Sequence, residues 1–183
     1  LYTRGITTKD GARLFLSPDY TKLHNPFLMT DMEKAVLRIL LAIKNNERIA
    51  VWSDYDCDGV PGAVLWHDFF TAIGFSNFEN YIPHRHDEGF GLNEKGIDAL
   101  RARDTGLIIT VDCGITNCEE VRHANKKGID VIITDHHEPG NILPDAYAIL
   151  DPKRDEAYPF RELCGSGVAW KLIEGLLERG KFN

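Results

Sequence analysis

At 183 residues, 43% hydrophobic and 27% charged, the chain has the size and composition of one ordinary globular domain with a sizeable core. No apolar stretch reaches the length of a membrane span and residues 1–8 lack a signal-peptide pattern, so no membrane association and a cytoplasmic location are expected; Leu1 at the start suggests a fragment. The net charge of −7 argues mildly against an extended basic face for nucleic acid, although part of it belongs to one acidic cluster.

Residues 1–29, punctuated by Gly5, Gly11, Pro18 and Pro26, read as an irregular N-terminal segment with short helical turns. Thr30 and Asp31 can cap a helix in which Met32, Ala35, Val36, Ile39, Leu40 and Ile43 recur at helical spacing. The run 49–52 is apolar and predicts a buried strand. Pro61 suits the first turn of a helix reaching about Ile73. Tyr81 and Ile82 mark a further strand. Asn93 caps a helix over about 94–103, and the next strand ends at Asp112. Asn117 opens a helix that Gly128 stops, and the following strand ends at Asp135. Residues 146–150 predict a short strand, residues 138–163 a loop-rich stretch within the domain, and residues 164–177 a final helix with Val168, Leu172, Ile173 and Leu176 on one face. Strands and helices alternating at this spacing predict an α/β fold, a doubly wound, mainly parallel sheet flanked by helices, in a single domain over residues 1–183.

Three of these strands end in acids: Asp54-Tyr55-Asp56-Cys57-Asp58-Gly59, Asp112-Cys113-Gly114 and Asp135-His136-His137. The carboxyl edge of an open α/β sheet is where ligands bind, and carboxylates forced together repel unless a cation neutralises them. A lone D-x-D-x-D is ordinarily a solvated turn. This one follows a strand, ends in glycine and has companions at equivalent strand ends, which favours metal ligation. A calcium loop of the EF-hand type is excluded, because its twelfth position is Leu65 rather than a bidentate glutamate and a strand precedes it. A haloacid-dehalogenase-type phosphatase leaves the paired histidines unexplained. Consecutive histidines in extended chain point opposite ways, so one can bind metal while the other faces substrate or pairs with a carboxylate. Hard oxygen ligands with few histidines suit Mn²⁺ or Mg²⁺ better than zinc, and two such ions about 4 Å apart can hydrolyse a phosphoester. Asp112 is a good candidate to bridge them. Cys57, Cys113, Cys118 and Cys164 form no C-x-x-C pair and are expected to be free thiols.

With these motifs in order, the chain resembles the DHH phosphoesterase superfamily, and within it the RecJ-type single-stranded-DNA-specific exonucleases. Besides the acidic runs, the matching stretches are residues 4–8, Pro83 with Arg85 and Glu88-Gly89-Phe90-Gly91-Leu92, and residues 134–140 and 165–169. The resemblance implies 5′→3′ degradation of single-stranded DNA with Mn²⁺ or Mg²⁺ in recombination and repair. It carries over Asp56 and Asp112 as ligands of one metal and Asp58, Asp112 and His136 as ligands of the other. Asp54 and Asp135 become supporting acids, and His137 the residue facing the scissile phosphate or leaving group. Arg85 is expected at a phosphate and Phe90 against a base, while Tyr55 is either a further stacking ring or buried beneath the metal loop. His84 and His86 read as polar loop residues.

Family members also carry a Gly-x-x-Ala-Asp-type acidic motif downstream, then a second domain and an oligonucleotide-binding domain. The chain stops at Asn183 before these, so it is expected to be the N-terminal portion of a longer enzyme, or a reduced homologue, with little activity alone. Asp151 is not taken as the missing ligand. Two other functions stand beside the exonuclease: a DHH phosphodiesterase acting on short oligonucleotides or cyclic dinucleotides, and a non-catalytic RecJ-like replication scaffold. Retention of the whole acid and histidine set argues against the scaffold.

Overall fold

The structure, a computed structural model, describes residues 1–154 and 156–182. The elements run α1 (Lys9–Leu16), α2 (Met32–Lys44), β1 (Arg48–Ser53), α3 (Gly59–Ala72), β2 (Phe78–Tyr81), α4 (Glu94–Arg101), β3 (Thr105–Val111), α5 (Cys118–Lys126), β4 (Asp130–Thr134), β5 (Ala148–Leu150) and α6 (Gly165–Arg179). The five strands form one sheet in the order β2-β1-β3-β4-β5, every pairing parallel.

Side chains alternate across each strand, so an all-apolar strand must be covered on both faces. Ile49, Val51, Leu107, Ile109 and Ile132 turn to one face, where they pack with Trp66 and Phe70 of α3, Ile39 of α2 and Leu172 of α6. Ala50, Trp52, Ile108, Val131 and Ile133 turn to the other, against Ile97 and Leu100 of α4 and Val121 and Ala124 of α5. The sheet is therefore doubly wound, as the alternation predicts. No helix among the described residues is long and apolar enough to cross a membrane.

The strand order reverses between β1 and β3. From β1 the chain moves outward to β2, then crosses back to β3 on β1's other side. Such a switch point opens a crevice at the carboxyl ends of the two strands. The loops after β1 and β3 both begin there, and α3 starts there tightly. A Cβ at Gly62 would collide with Val111, so only glycine lets the first turns of α3 lie on β3.

Several local expectations need correction. The N-terminal segment holds short helical turns as expected, at Tyr2–Arg4, Tyr20–Lys22 and Pro26–Leu28, and adds one two-turn helix, α1, capped by Thr8, whose Oγ1 accepts from Gly11 N at 3.1 Å. None of the residues of α1 is buried. Strand β2 lies earlier than expected and leaves Ile82 exposed outside it. Asn117 opens α5 from its N-cap position, as expected, and Asp31 stands at the N-cap of α2, but neither side chain makes a cap hydrogen bond. Asp31 instead accepts from Ile149 N and Arg154, tying the start of α2 to β5, and Asn117 accepts from Leu92 N. Asn117 keeps a local bond as well, its Nδ2 donating to Glu120 at 3.2 Å. Val168, Leu172, Ile173 and Leu176 are buried on one face of α6, as expected.

Candidate metal centre

Asp54 is the first residue after β1, and its N–H donates to Val111 O at 3.1 Å, so β1 and β3 are still joined as the loop begins. Its carboxylate is buried, and Oδ1 has no hydrogen-bond partner. Burial, with the nearby charge of Asp56, pushes that carboxyl up from its ordinary pKa. Asp56 turns the chain into α3: its Oδ1 accepts from Asp58 N at 2.8 Å and Gly59 N at 3.0 Å. Those N–H groups hold its pKa below the usual carboxylate range. Gly59 is required, because a Cβ there would collide with the Asp54 backbone.

Asp58 is held from the far end of the chain. Its Oδ2 accepts from Gly165 N at 2.7 Å, and its Oδ1 from Ser166 N at 3.0 Å and Ser166 Oγ at 2.8 Å. Burial works against its charge, but the hydrogen bonds from Ser166, Cys164 and Gly165 prevail and lower its pKa. Gly165 has a second constraint: any Cβ would run into the Asp112 carboxylate. Sequence reasoning noted this stretch as a match without giving it a task. Its contribution is to deliver the first turn of α6 to Asp58 and leave room for Asp112.

Asp112 sits where β3 ends, with φ of +62°, in the left-handed region that non-glycine residues seldom occupy. Its N–H donates to Thr134 O at 3.0 Å. The carboxylate is 2% exposed and lies among Asp54, Asp56 and Asp58. Burial, then the charges of Asp58 and Asp56, push its pKa up to about 8. His136 Nε2 lies 3.1 Å from its Oδ1 and 3.7 Å from Asp58 Oδ2. Oδ1 still lacks a hydrogen bond of proper geometry, so the close approach leaves its lone pairs unsatisfied.

The second histidine faces elsewhere. His137 Nδ1 stands 2.7 Å from Asp135 Oδ1, which also accepts from His136 N at 2.7 Å. Asp135 Oδ2 accepts from Ile115 N at 2.9 Å. Both oxygens of this buried acid are therefore engaged in holding the two histidines and the loop after β3. His137 is half exposed and keeps Nε2 free of that pair.

Among the described residues, two groups of donors come within 4.8 Å of one another: Asp54, Asp56 and Asp112, and Asp112, His136 and His137. Asp112 belongs to both. Three carboxylates and two imidazoles at this spacing, with buried, unpartnered oxygens on Asp54 and Asp112, could hold a hard divalent cation; Asp58, expected as a ligand, lies outside both groups and approaches His136 Nε2 at 3.7 Å. Asp54, expected only to support the site, has an oxygen within 4.8 Å of those of Asp56 and Asp112. Asp151 also follows a strand, β5, and is 1% exposed; one oxygen accepts from Lys153 N at 2.7 Å, the other has no partner, and burial raises its pKa to about 6. It lies outside both donor groups.

Three further residues line the mouth. The Arg85 guanidinium lies 4.4 Å over the Tyr55 ring, and Phe90 meets the His137 ring edge-on at 5.7 Å. Arg85 and Phe90 are exposed, while Tyr55 is half-buried with Arg85 on its face. His84 pairs with exposed Asp87, as a polar loop residue does. Cys57, Cys113, Cys118 and Cys164 are free.

A doubly wound α/β protein with an acid–histidine centre at its switch point is the class that this geometry defines. The profile of the DHH family, N-terminal domain, matches residues 48–183, and the chain belongs to that family. It is 45% identical over 179 residues to the single-stranded-DNA-specific exonuclease RecJ of Bacillus subtilis, covering 97% of this chain and 22% of that protein. It is 40% identical over 149 residues to RecJ of Escherichia coli, covering 81% of this chain and 26% of that protein. The chain thus spans about a quarter of the length of these curated relatives. Among solved structures, an exonuclease RecJ bound to manganese superposes with a TM-score of 0.78 at 31% identity, over 88% of this chain and 41% of that one. RecJ of Thermus thermophilus in complex with Mn²⁺ gives a TM-score of 0.76 at 28% identity, over 97% of this chain and 24% of that one.

Proposed function

We propose that these residues form the metal-binding half of a nuclease that hydrolyses single-stranded DNA from its 5′ end, in recombination and repair, with Mn²⁺ or Mg²⁺ as cofactor. The observation that carries this reading is Asp112, a buried carboxylate common to both donor groups. Asp54, Asp56 and Asp112 would hold one ion, and Asp58, Asp112 and His136 the other. The bound ions would supply Lewis acidity for the phosphoryl oxygens and lower the pKa of water. The relatives named as single-stranded-DNA-specific exonucleases, and the RecJ structures with manganese, support both substrate and metal.

The protein's own side chains do the rest. Asp135 fixes the His137 ring through Nδ1, leaving Nε2 to exchange a proton with the leaving oxygen of the phosphodiester. Ser166 and Gly165 hold Asp58 in place against the repulsion of its neighbours. Arg85 stands at the mouth as a cation for a backbone phosphate, and Phe90 as a flat surface for a base. Asp56, Arg85 and Phe90 are exposed, so the described residues leave the site open on one side. Turnover by residues 1–183 alone is therefore expected to be slow.

Incubation of excess protein with 5′- and 3′-labelled single strands and a matched duplex tests the reading. Mn²⁺-dependent release of 5′-terminal nucleotides from the single strand supports it. Cleavage that persists with a chelator, or that prefers duplex, contradicts it.

A further inference from the structure

The loop between β2 and α4 carries Arg85 and Phe90, and its two acids, Asp87 and Glu88, belong to neither donor group. Glu88 is fully engaged. Its Oε1 accepts from the Tyr81 hydroxyl and from Asn93 Nδ2 at 3.3 Å, and its Oε2 accepts from His84 N at 2.8 Å. One carboxylate thus ties the end of β2, the start of the loop and the N-cap of α4 together.

The same loop is buttressed from the sheet. The Tyr81 ring stacks on Trp52 at 4.2 Å, and Trp52 Nε1 donates to Gly91 O at 3.2 Å. Leu92 N donates to Asn117 Oδ1 at 3.3 Å, anchoring the loop to the start of α5. Gly89 at φ +78° and Gly91 at φ +80° reverse the chain on either side of Phe90. A Cβ at Gly91 would stand 2.7 Å from Asn117 Oδ1, so the anchor itself demands glycine. The outcome is a large aromatic ring, 51% exposed, held beside His137 by groups behind it.

We infer that Glu88 is a positioning residue for single-strand binding, latching residues 83–92 as a preformed arm that presents Arg85 and Phe90 over the metal centre. This rests on the nuclease reading above. A loop already fixed in its binding shape loses less conformational entropy when a strand docks, so the latch acts on affinity for nucleic acid and leaves the metal donors alone. Glu88 touches none of those donors. The hydrogen bonds from His84 N and Tyr81 hold its carboxyl below the usual range, which keeps the latch charged at neutral pH.

The test uses residues 1–183 with Mn²⁺ and a fluorescein-labelled phosphorothioate oligothymidylate followed by anisotropy, alongside Mn²⁺ calorimetry. Glu88→Ala is expected to weaken oligonucleotide binding about ten-fold, the scale of losing one stacked base, with Mn²⁺ affinity unchanged. Glu88→Gln, which keeps the acceptor oxygen for Tyr81, should recover part of that loss. In an Arg85→Ala/Phe90→Ala background, adding Glu88→Ala should change affinity by less than about two-fold, because what it positions is already gone. Should Glu88→Ala fail to fold, Tyr81→Phe removes one donor only and is expected to give a smaller loss of the same kind. Unchanged binding in Glu88→Ala, while the unaltered chain binds, overturns the positioning role and leaves the nuclease reading intact. Multiplicative losses in the double background, or parallel loss of Mn²⁺ affinity, overturn it as well. An unaltered chain that loads Mn²⁺ and binds no oligonucleotide overturns both.

Discussion

His136 and Asp112 come from different strands, and they meet with Nε2 3.1 Å from Oδ1 outside hydrogen-bonding geometry. Two polar groups so close, neither satisfied by the other, are arranged for a third atom. That relationship makes proton and metal competitors for the Asp112 carboxylate.

Without metal, Asp112 titrates near pH 8 in the folded chain and near 3.8 once unfolded. The folded state therefore keeps a proton that the unfolded state releases. Metal-free stability should fall as pH rises from about 4 toward 8 and level off above that. Mn²⁺ must displace this proton, so its apparent affinity should rise about ten-fold per pH unit below 8. Thermal melts with chelator and calorimetric titrations across this range check both slopes. A melting temperature that climbs with pH in chelator would contradict the first.

Asp135→Asn and His137→Ala should resemble each other, since the acid acts through the ring. Each is expected to lower the single-turnover cleavage rate by about 100-fold or more, and His137→Ala to change Mn²⁺ affinity little. Loss of Mn²⁺ binding in His137→Ala equal to that in a donor variant would refute this division of labour.

Ser166→Ala removes the hydroxyl that Asp58 accepts from but leaves both backbone donors. Mn²⁺ affinity should fall about ten-fold, at the low end for groups that orient a ligand. Gly165→Ala drives a methyl into Asp112 and should abolish binding altogether. The comparison by calorimetry separates orientation from obstruction.

At the opposite edge of the sheet, Arg38 bonds Glu47 at 2.7 and 2.8 Å and Asp130 at 2.6 Å, joining α2 to the starts of β1 and β4. Arg38→Ala should cost ~2 kcal/mol, short of a fully buried pair because Asp130 is 43% exposed. Urea denaturation measures it. Mn²⁺ affinity should not move, since the donors lie at the other edge.

The strands and their terminal acids were legible because β-branched runs and strand-end aspartates are local signals. Alternation of apolar residues with helical stretches sufficed for a doubly wound sheet, and the spacing of Asp54, Asp56, Asp58, Asp112 and His136 sufficed for their convergence. What stayed hidden depends on distant partners. Ser166 and Gly165 serve an acid more than a hundred residues away in the chain. Asp31 and Asn117 look like helix caps and are drawn instead to Ile149 and Leu92. The left-handed backbone of Asp112 has no distinct signal in the sequence beyond the general tolerance of aspartate for that region.

Calorimetric titration of Mn²⁺ into residues 1–183, unaltered and as Asp112→Asn, decides whether Asp112 is the shared metal ligand. Asparagine tolerates the left-handed backbone and keeps the side chain's shape, so the fold should persist. The unaltered chain is expected to bind Mn²⁺, and Asp112→Asn to bind none. Equal Mn²⁺ binding by both proteins would contradict the account, because the carboxylate common to both donor groups would then hold no metal.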